Sequence, residues 1–574
     1  MAFITTRSRP AKRQLSARRV SFLLAAAVLA SACASSSGSK SATTAPTVAT
    51  VTTAAAVAST AAAATTTPAT TVAATTAPPT TVAPLKELRV GMPGDTTNVD
   101  GDKATLGQSS PNANIYERLI RMDDNYQIQP WLAEKWELVE PNTWRFHLRK
   151  DVTFSDGTPM TAKDVVFTFD RAGRAGRNIN SAEGATKAID DYTVEFTPTK
   201  VNKKVPLQLV HPTYGIMKAG SDPVKAPVGT GPFSFVSYTA KESFKVVRNE
   251  KYWDKAHAAK VSGINFRYLP DANTRMLALK AGDIDAVVEV PRESVAQAKS
   301  DGQVIELSPV GAYEAMYITL RNATGDAPLT ADVAVRKAIA MAIDRKAIVD
   351  KVWEGNADYG QSMVPPAILG SAAANVKGGP AFNLDGAKAA LDAAGWIAGA
   401  DGVRAKGGVR LELTMISGFP SPDVHRPIPE VIQQQLAKAG IAMKIVETTD
   451  YGTSLKAVGG QLWLERGNQN DANPSFLPGF LFVSPAAGNK GDYGLPFSIG
   501  DALDKPMAAA LTTEDIPKTQ GLTADALKAM IDDEVVIVPI AGIFNIWAHS
   551  KKVAGFKPHS AFVHTDFSGV SFTG

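Results

Sequence analysis

A single cysteine in 574 residues, Cys33, excludes an internal disulfide, and a formal charge of only +4 from 60 basic and 56 acidic side chains leaves no basic excess to point to nucleic acid. Six of the basic residues (Arg7, Arg9, Lys12, Arg13, Arg18, Arg19) precede Cys33 with no acidic residue among them, so the chain beyond them carries a formal charge of −2. The length allows two or three domains with large apolar cores.

The basic stretch runs into the apolar segment Phe22–Ala30 and then Ser31-Ala32-Cys33. That order predicts a secretory signal peptide over residues 1–32, because the apolar run is too short to span a bilayer. Arg18-Arg19 also invites a twin-arginine export reading. A cysteine directly after such a site resembles the bacterial lipobox, with Ala30 where that motif usually has Leu. The resemblance implies lipidation of Cys33 and an anchor on the outer face of the cell membrane. Residues 34–85 are nearly all Ala, Thr, Ser, Pro and Val, with Lys40 the only charge. Such a tract cannot bury enough apolar surface to offset its ordering entropy, so residues 33–85 are predicted to be a disordered tether, with the Thr/Pro density of an O-glycosylated stalk.

From residue 86 the chain carries apolar periodicity throughout. Leu88–Met92 alternates and reads as a strand, as do Trp144–Arg149, Tyr192–Phe196, Phe233–Val236, Phe244–Val247, Ile264–Leu269, Ile284–Val290 and Tyr313–Leu320. Tyr116–Ile120 is a short helical or extended segment. Thr161 with Asp164 forms a capping box for a helix that buries Val165, Val166 and Phe169. Helices are expected over Asn273–Ala281, Asp332–Ala342, from Asp344 to about Trp353, over Leu384–Ala394 and over Thr523–Asp532. Arg410–Ile416, then the apolar spacing Ile428, Val431, Ile432, Leu436 closed by Gly440, then Ile441–Glu447, predict a βαβ unit with a partly parallel sheet. Val535–Ile540 is a late strand.

The seven histidines have no metal-ligand spacing, so no metal is expected. No phosphate-cradling glycine loop and no nucleophile elbow occurs, so neither a cofactor nor catalysis is expected. Ser37-Gly38-Ser39-Lys40 matches a penicillin-binding pattern only by chance, within the tether.

Several segments together resemble the solute-binding proteins of ABC importers, family 5, the dipeptide/oligopeptide type. They are Tyr116-Glu117-Arg118-Leu119, Pro130–Trp136, the long run Phe146–Phe167, Val228–Phe233, Arg248–Trp253, Arg336–Ile348 and Ala387–Trp396. The resemblance implies an α/β, two-lobed periplasmic-binding-protein-like fold of type II, large peptide-binding subclass, with hinge-linked lobes. Lobe I would be residues 86–312 and 540–574, and lobe II residues 313–539, with crossings near Tyr313–Leu320 and Val538–Phe544. It implies no enzyme. It implies an extracytoplasmic, monomeric receptor that closes on a di- or oligopeptide and docks on a membrane permease. A sugar, opine or metal-chelate receptor on the same fold is the alternative, and a cell-surface hydrolase or sensor a more distant one.

The family commonly holds the peptide's α-amino group with an aspartate four residues before a proline. Before Pro474 that position is Asn470, with Asp471 next to it. The segment therefore nominates Trp463, Arg466, Gln469, Asn470 and Asp471 as ligand contacts, with Phe419, His425, Tyr313 and Met316 as further candidates.

Overall fold

The computed structural model describes residues 85–96, 99–100, 110–174, 182–320, 328–417, 427–448, 461–484, 497–561, 564 and 566–573. The signal peptide, Cys33, the tether, Phe419 and His425 lie outside them. In chain order, β1 (Glu87–Met92) buries Leu88, Val90 and Met92. The hairpin β2 (Ala133–Val139) and β3 (Thr143–Leu148) turns Trp144, Phe146 and Leu148 inward. Helix α1 (Ala162–Arg174) starts at the expected box: the Thr161 amide donates to the Asp164 carboxylate at 2.8 Å. Val165 and Phe169 are fully buried on it, while Val166 is only half-buried. Strands β4 (Thr186–Asp190), β5 (Thr193–Phe196), β6 (Phe233–Thr239), β7 (Ser243–Arg248) and β8 (Gly263–Tyr268) follow. Helix α2 (Ala272–Ala281) is capped by the Asp271 carboxylate on the Thr274 amide and stopped by Gly282 at φ 81°.

The expected strand Ile284–Val290 contracts to β9 (Ala286–Val287). Glu289 turns to φ 54°, which breaks the extended run on its C-terminal side, and the Asp285 carboxylate pairs with Arg89 at 2.8–2.9 Å. Then come β10 (Val304–Leu307), β11 (Ala312–Ile318), α3 (Val333–Ala342), α4 (Arg345–Val352), β12 (Ala357–Tyr359), α5 (Leu384–Ala393), β13 (Glu412–Ser417), α6 (Pro427–Lys438), β14 (Ala442–Glu447) and β15 (Leu462–Asn468). Helix α7 (Asp501–Leu511) precedes α8 (Ile516–Lys528). The latter begins earlier than its apolar pattern suggested, because Asp515 caps the Lys518 amide and Pro517 fits the first turn. Strands β16 (Ile537–Ile543) and β17 (Ile546–His549) complete the sheets.

Three of the sheets frame the fold. The first, in the order β10-β17-β9-β1-β8-β7-β6, carries lobe I, with β1 parallel to both β8 and β9. The second, in the order β12-β16-β11-β15-β13-β14, carries lobe II, and β13-α6-β14 is the expected parallel βαβ unit. The antiparallel sheet β2-β3-β5-β4 stands beside lobe I. One face of the lobe II sheet packs on α3, α4, α5 and α6. The other face shares a core with α7, α8 and the four-stranded sheet, so that Tyr317 and Trp463 lie in one cluster with Leu119, Leu207 and Tyr214. A fully buried aromatic or aliphatic side chain in such a core contributes about 1.5–3 kcal/mol.

The chain passes between the two large sheets twice, between β10 and β11 and between β16 and β17. The crossings are therefore Ser308–Gly311 and Phe544–Asn545, short connectors flanking the segments expected from sequence. Tyr313–Ile318 and Val538–Ile543 are strands inside the lobe II sheet. The connectors are laced together: the Ser308 amide donates to Asn545 O at 3.0 Å, and the Asn545 amide donates to Ser308 Oγ at 2.9 Å.

Candidate functional site

Strand β15 pairs with β11 along its whole length, but with β13 only at Leu462 and Trp463. Along Leu464–Asn468 the pairing seen among the described residues is with β11. At Asn468 the strand gives way to a buried loop that reaches lobe I. The Gln469 amide donates to Gly311 O at 3.2 Å, and the Ala472 amide donates to Leu207 O at 3.1 Å. His564 Nε2 donates to Asn470 O at 2.9 Å. Its other ring nitrogen, Nδ1, is buried with no partner, as are Gln469 Oε1 and Asn470 Oδ1. Gln469, Asn470 and His564 are all at least 95% buried.

Beside this group stands Arg118, whose Nε and Nη1 are also buried and unpartnered. Glu117, its neighbour, is engaged elsewhere: its carboxylate accepts from the Trp131 and Trp253 indoles at 2.9 and 2.8 Å and from the Tyr252 hydroxyl at 2.6 Å. Burial raises the Glu117 carboxyl to about 6, against the pull of those donors. Burial lowers the Arg118 guanidinium to about 10 and drives His564 well below the usual histidine range, with Arg118, His559 and His211 adding to the effect. His564 is therefore neutral at pH 7. Because Nε2 carries the hydrogen given to Asn470, Nδ1 is a bare acceptor. His211 accepts the Thr213 amide on Nδ1, which leaves Nε2 as that ring's donor. The arrangement offers guanidinium donors together with three acceptors, His564 Nδ1, Gln469 Oε1 and Asn470 Oδ1. Unsatisfied buried groups of this kind each cost about 1–3 kcal/mol, which a ligand offering both an anionic oxygen and N–H or O–H donors would offset.

Of the residues nominated from sequence, Gln469, Asn470 and Asp471 come together in this loop, but Asp471 serves the loop itself. Its Oδ1 accepts from the Asn473 amide at 3.0 Å and from Gln469 Nε2 at 3.1 Å. Burial raises its carboxyl well above the usual aspartate range. These contacts of the Asp471 carboxyl lie within its own loop. Trp463 and Tyr313 share one face of the lobe II sheet and are almost fully buried, whereas Met316 points into the opposite core beside Leu464 and is a packing residue. Arg466 is half-buried opposite Glu314 on β11. Phe419 and His425 lie outside the described residues. Sequence reasoning missed Arg118, His211 and His564. Only Arg118 left a signal, its place in the Tyr116-Glu117-Arg118-Leu119 motif.

Residues 127–488 match the sequence pattern of the bacterial extracellular solute-binding proteins, family 5 (middle region). The chain belongs to that family. This family 5 protein is 27% identical to the nickel-binding periplasmic protein of Escherichia coli over 487 residues, which is 79% of this chain and 88% of the relative. Its fold is shared with NikA of Brucella suis in complex with Fe(III)-EDTA, at a TM-score of 0.72 and 23% identity, covering 85% of this chain and all of that one. It is shared equally with DppA of Helicobacter pylori in complex with the peptide STSA, at 0.66 and 24%, covering 84% and 98%. The family 5 receptor is thus a two-lobed, extracytoplasmic solute-binding component of an ABC importer, a binding protein and not an enzyme. Among the described residues no helix is long and apolar enough to cross a membrane.

Proposed function

We propose that the receptor takes peptides or similarly extended solutes and receives a ligand carboxylate, not an α-amine, at Arg118. The observation that carries this reading is Arg118, whose Nε and Nη1 are buried without a hydrogen-bond partner and whose charge acts on His564, where an acceptor is unfilled. An aspartate locked into its own loop supports it. The connectors Ser308–Gly311 and Phe544–Asn545 act as the hinge, and ligand contacts made only in the closed state drive closure. The monomeric closed form delivers its solute to the permease. The mature chain is held at the membrane by lipid on Cys33, and an intact mass beginning at an unmodified residue would refute that anchor.

The test of specificity is native mass spectrometry of receptor purified gently from its source. A co-purified peptide series, lost from Arg118→Gln with the fold retained by circular dichroism, is the expected result. A co-purified solute without a carboxylate would overturn the proposal.

A further inference from the structure

Glu465 stands on β15 directly across from Ala315 on β11. On the same face of the sheet Trp463 lies across from Tyr317, and Gly467 lies across from Tyr313. The Tyr313 and Tyr317 hydroxyls meet at 2.8 Å, spanning Ala315, and the Tyr313 ring lies over Gly467, where a Cβ would fall 2.1 Å from its oxygen. On this face Tyr317 packs against Phe482 and Phe497, and Trp463 against Phe497, in a core that extends to side chains of lobe I. Glu465 is 8% exposed, and its Oε2 has no hydrogen-bond partner. Its neighbour Arg466 belongs to the other face, across from Glu314. The charged group that acts on Glu465 is another acid, Glu314, and together with burial it raises the carboxyl to about 8. An acid retained for packing would be expected to donate its proton to a neighbour. A buried oxygen left without a partner on this aromatic face costs about 1–3 kcal/mol in the unliganded protein, which points to a partner supplied from outside.

We propose that Glu465 is a cation subsite of this receptor, taking a ligand ammonium group between the rings of Trp463, Tyr313 and Tyr317. The aromatic faces add attraction for the cation and cover its alkyl stem. The subsite rests on the receptor reading but is independent of the carboxylate contact at Arg118. On binding, the Glu465 carboxyl gives its proton to solvent and the resulting carboxylate pairs with the ammonium.

The probe is n-butylammonium, which has no carboxylate, compared with n-butanol by titration calorimetry at pH 7. The wild-type receptor is expected to prefer the ammonium by about tenfold or more, and Glu465→Gln to lose that preference. Binding enthalpy in wild type is expected to vary with buffer ionisation enthalpy, corresponding to release of nearly one proton per ammonium bound. That readout needs no variant to fold. Absence of an ammonium preference up to about 50 mM, its persistence in Glu465→Gln, or binding without proton release would overturn the subsite. Failure at Arg118 would leave all three readouts unchanged.

Discussion

Asp471→Asn separates a carboxyl that caps its own loop from one that grips a ligand. The amide keeps an oxygen where Oδ1 accepts the Asn473 amide and the Gln469 side chain, so folding at about pH 4 should change by less than about 1 kcal/mol. Asp471→Ala removes both acceptor contacts. Gln469 Nε2 retains the carbonyls of Asp471 and Asn473 at 2.9 and 3.1 Å, so the group left orphaned is the buried Asn473 amide, at about 1–3 kcal/mol. The pH dependence gives a sharper test. Burial raises the folded-state carboxyl, so the native protein binds more protons than the unfolded chain above the unfolded value of about 3.9. Stability conferred by the neutral acid is complete below that value and falls as pH rises toward the folded one, by about 1.4 kcal/mol per unit. Asp471→Asn lacks this loss. Urea unfolding followed by tryptophan fluorescence at pH 5, 6 and 7 should therefore show the asparagine variant gaining on wild type at each step. A difference that stays constant with pH would refute the neutral-acid account. Trialanine affinity should shift by less than about threefold in Asp471→Asn, whereas a loss of about tenfold or more would restore the amine role.

Lys204 is fully buried, donates to Thr519 Oγ1, and burial lowers it to about 8. The folded protein binds fewer protons there than the unfolded chain, so wild type should gain on Lys204→Met as pH rises from about 8 toward the unfolded lysine value of about 10.4; a gap that widens instead would refute the assignment. At Gly311 a Cβ would fall 1.6 Å from Ser560 O, in the connector between the lobes. Gly311→Ala should lower stability by about 1–3 kcal/mol or more, and thermal unfolding within 1 °C of wild type, where about 1 kcal/mol moves the midpoint by several degrees, would show that the connector yields without strain.

Where local chemistry sets the backbone, the sequence is explicit. Asp271, Asp332 and Asp344 cap the helices that their positions predict, and Gly282, Gly395 and Gly440 take positive φ at helix ends. The alternation of Leu88, Val90 and Met92 and the spacing of Ile428, Ile432 and Leu436 mark the buried faces of a strand and a helix. These signals lie within a few residues of the structure they specify. The family motifs extend them to the two-lobed architecture.

The site depends on groups that no local pattern links. Arg118 and His564 come from opposite ends of the folded chain and meet beside a loop after β15, and neither carries a local signal of the other. Asp471 looked like a ligand carboxylate until its oxygen was placed on the Asn473 amide. Glu465 gave no signal of its own; the lobe II sheet set it opposite Ala315, where burial and, among the described residues, the charge of Glu314 act on it. Sequence alone determined the local elements, because capping, turn and periodicity act locally, and the resemblance of its motifs implied an α/β two-lobed receptor. Tertiary structure decided which carboxyls are charged and which donors go unpaired, because burial and electrostatic fields are set by residues distant in the chain.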